Sequence, residues 1–501
     1  MSHDVPVEIR ALPTGVPGMD EILGGGIAEF SFNVIAGGPG AGKTTLAQQI
    51  LFRNASLARP AVFFTVLGEP TIKLLRYQQQ FSFFEQAKMG AEVRVLNLSE
   101  EVLRGGFDAV LARIVTEVEA TRPALVVVDS FRTVMARDDG SSGVEPQRFV
   151  QSLALHLTSW EVTSFLIGEY AEMELHDPVL TVADGLLWLT QEVHRNSVVR
   201  KLQVVKQRGF APMAGLHTMR ITGSGVEVFP RIVDNNVATA PRQSVRRLST
   251  GILGLDGMMG GGIPAGDAVI VAGPTGAGKT TFATRFLADG AARGESSVVL
   301  VFEERPEDFL GRARALGLDL EPLIAEGRAA LLYLRPLDLS VDEILHAVRA
   351  AVTRVGASRV VIDSLSGFEL ALAPTFREDF RESLYRLVCA ITGAGVTILM
   401  TVETVANVGS LRLLPFAVSF LADDVIQQRY VEIEGTLRTI LTIVKMRGSQ
   451  HSRALREYEI TGGAVTIGRT LHEYDDILSG APRLRIPAQP QAPTTRNPLC
   501  D

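Results

Sequence analysis

Residues 37–45 read GGPGAGKTT, and residues 273–281 read GPTGAGKTT. Both satisfy G-x-x-x-x-G-K-[ST]. In that pattern the glycines let backbone N–H groups turn inward around a phosphate, and the following helix presents its positive N-terminal end to the anion. The first loop takes Gly37, Gly38, Gly40, Ala41, Gly42, Lys43, Thr44 and Thr45; the second takes Gly273, Thr275, Gly276, Ala277, Gly278, Lys279, Thr280 and Thr281. Lys43 and Lys279 are placed to neutralise the β/γ-phosphates of ATP, and the Thr44 and Thr280 hydroxyls to ligate Mg²⁺. A short β-rich run ending in glycine precedes each loop (SFNVIAGG, DAVIVAG), and a helix-forming stretch follows it. Repetition of strand, loop and helix argues against a chance glycine-rich turn.

The repetition extends well beyond the loops. LPTGVPGMDEILGGGI (12–27) is answered by LSTGILGLDGMMGGGI (248–263) at the same offset as the loops. LVVVDS ends at Asp129–Ser130 and VVIDS at Asp363–Ser364; VVKQRG (204–209) is matched by IVKMRG (443–448). A period this long is a tandem duplication of a whole domain, not a solenoid. PRIVDNNVATAPRQSVRR (230–247), polar and proline-punctuated, lies between the repeats. The expected organisation is a first domain over 1–235, a linker over 236–247 and a second domain over 248–480. A proline-rich tail without fixed structure follows over 481–501. Continuous apolar strands alternating with helical segments predict an α/β fold in each repeat, with a mostly parallel twisted sheet flanked by helices.

Bulk composition narrows the function. The 501 residues are 46% hydrophobic and 21% charged, with a net charge of −7. An acidic chain argues against a constitutive nucleic-acid partner. Two cysteines, Cys389 and Cys500, supply neither a disulfide framework nor a zinc site. With no signal peptide and no apolar stretch of spanning length, the expectation is a cytoplasmic protein without membrane contact. His156, His176, His194 and His217 show no ligand spacing, so no metal other than Mg²⁺ is expected. REDFRESLYR (377–386) reads as a solvated helix face with opposite charges one turn apart.

Around the loops, Asp129 and Asp363 end apolar strands at matching distances, where a carboxylate holds Mg²⁺ through water. SVVLVFEERPEDFL carries Glu303 and Glu304 at a strand end, placed to orient or deprotonate an attacking hydroxyl. Aligning Leu74–Leu75 with Phe309–Leu310 sets Gly68 opposite Glu303 and Glu69 opposite Glu304, so the first site keeps one carboxylate of two. Lys206 and Arg208, like Lys445 and Arg447, follow β-like runs in equivalent places. A solvated hairpin end explains one such pair; repetition favours cations that reach phosphate across a subunit boundary.

Taken together, these residues resemble the KaiC family of circadian-clock and clock-like ATPases, two RecA-like P-loop modules in tandem. The resemblance runs from about residue 10 to residue 480 and rests on the paired loops with FEERPED, VVIDSLS, YVEIEGTLRTILTIVKMRG and REYEITGGAVTIG in order. It implies a homohexameric double ring with ATP bound between neighbouring subunits. It also implies a slow ATPase in the first ring and a serine/threonine autokinase in the second, able to return phosphate to ADP. Clock-like or signalling proteins are the implied partners. Glu303 and Glu304 match the family's catalytic glutamates. Lys445, Arg447 and His451 match its trans-acting phosphate contacts, as do Lys206 and Arg208 in the first ring. Counting back seven from Tyr430 gives Asp423, and the family's acceptor pair then falls on Ser419 and Phe420. One acceptor, Ser419, is present. Six beyond Lys206 the family's histidine is replaced by Pro212.

Two other functions fit the same loops. A nucleotide-gated scaffold would assemble on ATP with little chemistry, which suits the altered first site. A RecA- or DnaB-like DNA motor would need basic, aromatic-bearing loops or an added domain, and the chain has neither.

Overall fold

A computed structural model describes residues 9–66, 71–130, 144–170, 178–194, 197–231, 246–334, 339–372, 374–377, 380–404, 421–477 and 482–484. The chain divides into two compact units, Met1–Val233 and Asp234–Asp501.

In the first unit, nine strands form one sheet: β1 Phe32–Gly37, β2 Ala61–Thr65, β3 Val93–Asn97, β4 Leu125–Asp129, β5 Thr163–Glu169, β6 Gly185–His194, β7 Ser197–Gln207, β8 His217–Thr222 and β9 Gly225–Phe229. Their order is β3-β2-β4-β5-β1-β6-β7-β8-β9. The first six run parallel, and β7 to β9 add antiparallel hairpins. Four helices matter for the site and its support: α1 Lys43–Asn54, α2 Thr71–Gln78, α3 Ser99–Thr121 and α4 Val144–Ser159. Strand alternation sends Ile35, Phe63, Val127 and Phe165 to a core shared with α1. Val34, Val62, Val126 and Leu166 face the opposite core, with α3 and α4. A strand buried on both faces has to be apolar throughout, which is why these runs do not alternate in sequence.

The second unit repeats this order with β10 Ala268–Gly273, β11 Ser297–Val301, β12 Ala329–Tyr333, β13 Arg359–Asp363, β14 Thr397–Glu403, β15 Asp424–Ile433, β16 Thr436–Met446, β17 Arg456–Thr461 and β18 Ala464–Thr470. Its sheet reads β12-β11-β13-β14-β10-β15-β16-β17-β18. Its helices include α5 Lys279–Ala292, α6 Pro306–Ala315, α7 Val341–Val355, α8 Leu365–Ala371 and α9 Phe380–Gly393. Helix α7 begins with a capping box: the Glu343 amide donates to Ser340 Oγ, and the Ser340 amide donates to Glu343 Oε2. The α/β tandem RecA-like fold expected from the motifs is the one observed.

Two details depart from the sequence reading. Within 377–386, Phe380 and Leu384 are buried, and Arg386 is ion-paired with Asp342 of α7. That face packs against a neighbouring helix, which one-turn charge spacing does not reveal. Beyond residue 480, Arg483–Leu484 pairs with Tyr474–Asp475 as a short antiparallel ladder. Residues 236–245 of the expected linker, and 481 and 485–501 of the tail, lie outside the described residues.

The second unit also holds a fully buried arginine. Arg359 Nε donates to Glu295 at 2.6 Å, Nη2 to Asp289 at 3.2 Å, and Nη1 to the carbonyls of Phe286 and Ser249 at 2.6 and 3.0 Å. Its guanidinium lies 4.4 Å from the centre of the Phe286 ring. Leu125 occupies the matching place in the first repeat. Glu295 keeps Arg246 and Asp289 keeps Arg293 as partners. The Phe286 and Ser249 carbonyls lose their donor, however, and the volume of a fully buried side chain is emptied, so Arg359→Ala should cost about 2–5 kcal/mol. Both tryptophans, Trp160 and Trp188, belong to the first unit. The expected result is an earlier urea transition in circular dichroism that leaves the tryptophan transition in place.

Candidate nucleotide-binding sites

Each loop sits where a fully buried strand meets a helix. Gly42 (φ 100°) precedes α1 and Gly278 (φ 91°) precedes α5, and neither helix has a side-chain cap. Both glycines are left-handed and closely roofed. A Cβ on Gly42 would come within 2.6 Å of Ile221 Cδ1, and one on Gly278 within 2.1 Å of Ile460 Cδ1. Only glycine fits, and the first-turn N–H groups stay free for an anion. In the second unit Tyr458, from β17, also donates its hydroxyl to the Ala277 carbonyl at 2.5 Å. Burial pushes that phenol well up from its ordinary value. The matching residue in the first repeat is Met219.

The two sites share a polar core. Lys43 Nζ donates to the carbonyls of Gly37 and Gly38 at 2.9 and 2.7 Å; Lys279 Nζ donates to those of Gly273 and Pro274, both at 2.9 Å. Burial lowers both ammonium pKa values, opposed by Glu169 and Asp129 in one site and by Glu403 and Asp363 in the other. Thr44 Oγ1 donates to Asp129 Oδ2 at 2.6 Å, and Thr280 Oγ1 to Asp363 Oδ2 at 2.8 Å. Burial raises the Asp129 carboxyl above its usual range, opposed by the Thr44 hydroxyl and Lys43. A hydroxyl and a carboxylate side by side are hard oxygen donors, and they suit Mg²⁺.

Sequence reading missed several members. Glu169 and Glu403 end β5 and β14 in register with Gly37 and Gly273, and Glu403 accepts from Thr275 Oγ1. Their offset of 234 equals that of the two aspartates, which was the available signal. Thr401 Oγ1 donates to Asp363 Oδ1 at 2.6 Å, where the first repeat has Ile167.

Glu303 and Glu304 follow β11. Ser364 Oγ donates to Glu303 Oε1 at 3.2 Å, while Glu304 is ion-paired with Arg312 of α6. Burial raises the Glu304 pKa, Arg312 opposes it, and Asp363 and Asp308 add to the rise. Glu69 with Gly68, and Ser419 with Phe420, lie outside the described residues.

The basic pairs lie elsewhere. Lys206 Nζ donates to the Thr181 carbonyl at 3.1 Å, and Arg208 Nη1 to Asp184 at 2.9 Å. Lys445 Nζ donates to the Ala422 carbonyl at 2.6 Å, and Arg447 Nη1 to Asp423 at 3.3 Å. Asp184 and Asp423 in turn accept from the first amides of β1 and β10, those of Phe32 and Ala268. These cations therefore stand at the start of the strands whose far ends carry the loops, about 20 Å away along six residues. His451 lies near them, its Nδ1 3.5 Å from the Ser449 carbonyl.

Comparison with known proteins decides the family. A family model described as "ATPase: KaiC" matches residues 12–232 and again 248–472. The chain belongs to the KaiC family of ATPases. The circadian clock oscillator protein KaiC of Rippkaea orientalis is 29% identical over 491 residues, spanning 95% of this chain and 92% of that protein. KaiC 1 of Synechocystis sp. is 28% identical over 499 residues, spanning 96% and 93%. KaiC of Nostoc sp. is 26% identical over 492 residues, spanning 95% and 92%. The resemblance read from the motifs thus holds across both repeats. Among the described residues, no helix is long and apolar enough to cross a membrane.

Beside the basic pair of the second unit, Asp424 is fully buried, and its pKa is raised to about 7. Burial is the main cause, with Asp267 and Asp423 adding to it and Arg247 and the Arg447 amide opposing. The folded chain then keeps a proton that the unfolded chain releases between about pH 4 and pH 7, so this group lowers stability as pH rises through that window. Asp424→Asn should match the parent near pH 4 and exceed it near pH 8, read as urea midpoints at the two pH values.

Proposed function

We propose that this ATPase binds ATP with Mg²⁺ at both loops and closes each site between neighbouring subunits of a homohexameric double ring in the cytoplasm. In the second ring it transfers a phosphoryl group to its own Ser419. One observation carries the reading: Lys445 and Arg447 lie at the opposite end of the sheet from Lys279 and Thr280. A single subunit cannot bring both sets to one phosphate. A neighbour can, with His451 beside its basic pair, and Lys206 with Arg208 would do the same in the first ring.

The chemistry follows from the residues. Lys279 and the loop amides hold the phosphate oxygens, and Thr280 and Asp363 hold the metal side. Glu303 or Glu304 accepts the hydroxyl proton as the Ser419 oxygen attacks the γ-phosphorus of ATP, and the bond to the bridging oxygen breaks with ADP as the leaving group. Bound Mg²⁺ neutralises charge on the transferring group. The neighbour's Arg447 and Lys445 balance the remainder from the other side. With water in place of Ser419 the same arrangement gives hydrolysis, and with ADP as acceptor the transfer runs backwards. Phe420 in the second acceptor position limits the cycle to one step. The relatives' names extend the reading to a clock-like or signalling role exercised through protein partners. In the first ring, Gly68 and Pro212 favour slow turnover with a nucleotide-gated scaffolding part.

Intact mass after incubation with Mg-ATP tests the kinase. A gain of one phosphoryl group is expected, lost in Ser419→Ala and in the Glu303→Gln/Glu304→Gln pair. Phosphate release without any gain in mass would reduce the second ring to an ATPase. Subunit sharing is tested by mixing. Lys279→Ala and Arg447→Ala chains, each inactive alone, should recover phosphorylation together, because a mixed ring pairs an intact loop with an intact arginine.

A further inference from the structure

We propose that Arg312 sets the divalent-cation requirement of the second site by competing for Asp363 while it holds Glu304. This rests on the reading above of Asp363 as the metal-side and Glu304 as the base-side carboxylate. Arg312 projects from α6, and its guanidinium joins two carboxylates. Nη2 is paired with Glu304 and lies 3.9 Å from Asp363 Oδ2. The guanidinium carbon stands 5.6 Å from the centre of the Phe309 ring, whose side chain is buried, so one face of the cation rests on a fixed support.

The contested atom is Asp363 Oδ2, which also accepts from Thr280 Oγ1. A divalent cation held by Thr280 and Asp363 would lie a few ångströms from the guanidinium, and like charges at that range in a partly buried site repel strongly. Thr401 fixes the other oxygen of Asp363, so the carboxylate cannot rotate to serve both cations separately. The lysine of the loop also feels the charge of Asp363, but its ammonium is bonded to the Gly273 and Pro274 carbonyls and not to the carboxylate, so Arg312 is the cation paired with Asp363 Oδ2. Cation binding at Asp363 therefore pushes Arg312 towards Glu304 alone, and Arg312 in turn raises the cation concentration needed. The first repeat has the same Thr44–Asp129 pair, but Tyr77, largely exposed, stands at the position of Arg312. The two sites should then load metal at different concentrations.

The test reads binding, not turnover. In the full-length chain carrying Lys43→Ala, so that the second site reports, fluorescent ADP is titrated with Mg²⁺ and the half-saturating concentration is measured. Arg312→Gln should lower it about 3- to 10-fold, the range expected for removing one nearby unit charge. Arg312→Lys, which keeps the charge, should stay within about twofold of the parent. Arg314→Gln, on the same helix but paired with Asp319 and Glu321, should leave it unchanged. An unchanged or raised value in Arg312→Gln overturns the proposal, as does an equal fall in Arg314→Gln. Should Arg312→Gln fail to fold, Glu304→Gln gives the opposite arm: it frees Arg312 for Asp363 and should raise the Mg²⁺ requirement, and an unchanged value there refutes the idea. The base assignment is read separately, by Ser419 phosphorylation in the Glu303→Gln/Glu304→Gln pair, and its failure leaves the Mg²⁺ shift of Arg312→Gln standing, so the two readings fail separately.

Discussion

Parallel pairing of strands that are buried along their whole length is the constraint on which the rest of the molecule depends. Parallel strands bring their C-terminal ends to one edge, and the register fixes which residues meet there. Gly37 lies level with Glu169, and Thr65 with Asp129; in the second unit Gly273 lies level with Glu403, and Val301 with Asp363. Loop, strand-end aspartate and strand-end glutamate converge because parallel pairing in this register brings them to one edge. A one-residue slip would send each side chain to the opposite core and move the polar strand ends out of line with one another.

The same geometry separates two kinds of positive charge. The loop lysines are partly desolvated and bonded to loop carbonyls at one edge. The paired Lys and Arg residues stand at the other, tied through Asp184 and Asp423 to the amides that begin the loop strands. One strand thus links the two edges: its first amide is fixed by the aspartate that holds an arginine, and its last residue opens the loop.

Much of this was legible in the sequence. The loops, the duplication and the strand-end aspartates follow from short-range chemistry and spacing, and the tandem architecture with its family followed from them. Glu169 and Glu403 escaped notice because each is a single acid after an apolar run, with different neighbours in FLIGEY and LMTVET. Arg312 was invisible for another reason: on α6 it is one of several charges on a helix that reads as solvated, and only packing turns it towards Asp363. Arg386 failed in the same way, since charge spacing within a helix says nothing of the carboxylate on the helix beside it. Arg359 shows the opposite limit. A basic residue at the start of an apolar strand gives no hint that it will be wholly enclosed, because its partners Asp289 and Glu295 lie some 64 to 70 positions away.

The roof over the loops differs between the units in one atom type that matters. In the second, the Tyr458 hydroxyl is bonded to a loop carbonyl, and its ring meets Phe282 edge-on. In the first, a buried thioether, that of Met219, reaches the loop and has no hydroxyl to bond its carbonyls. One loop is stapled to the outer hairpin and the other is cushioned by it. The second is therefore the stiffer seat: a displacement of its loop is carried to β17 through a directional hydrogen bond, whereas in the first only non-directional packing links loop and hairpin.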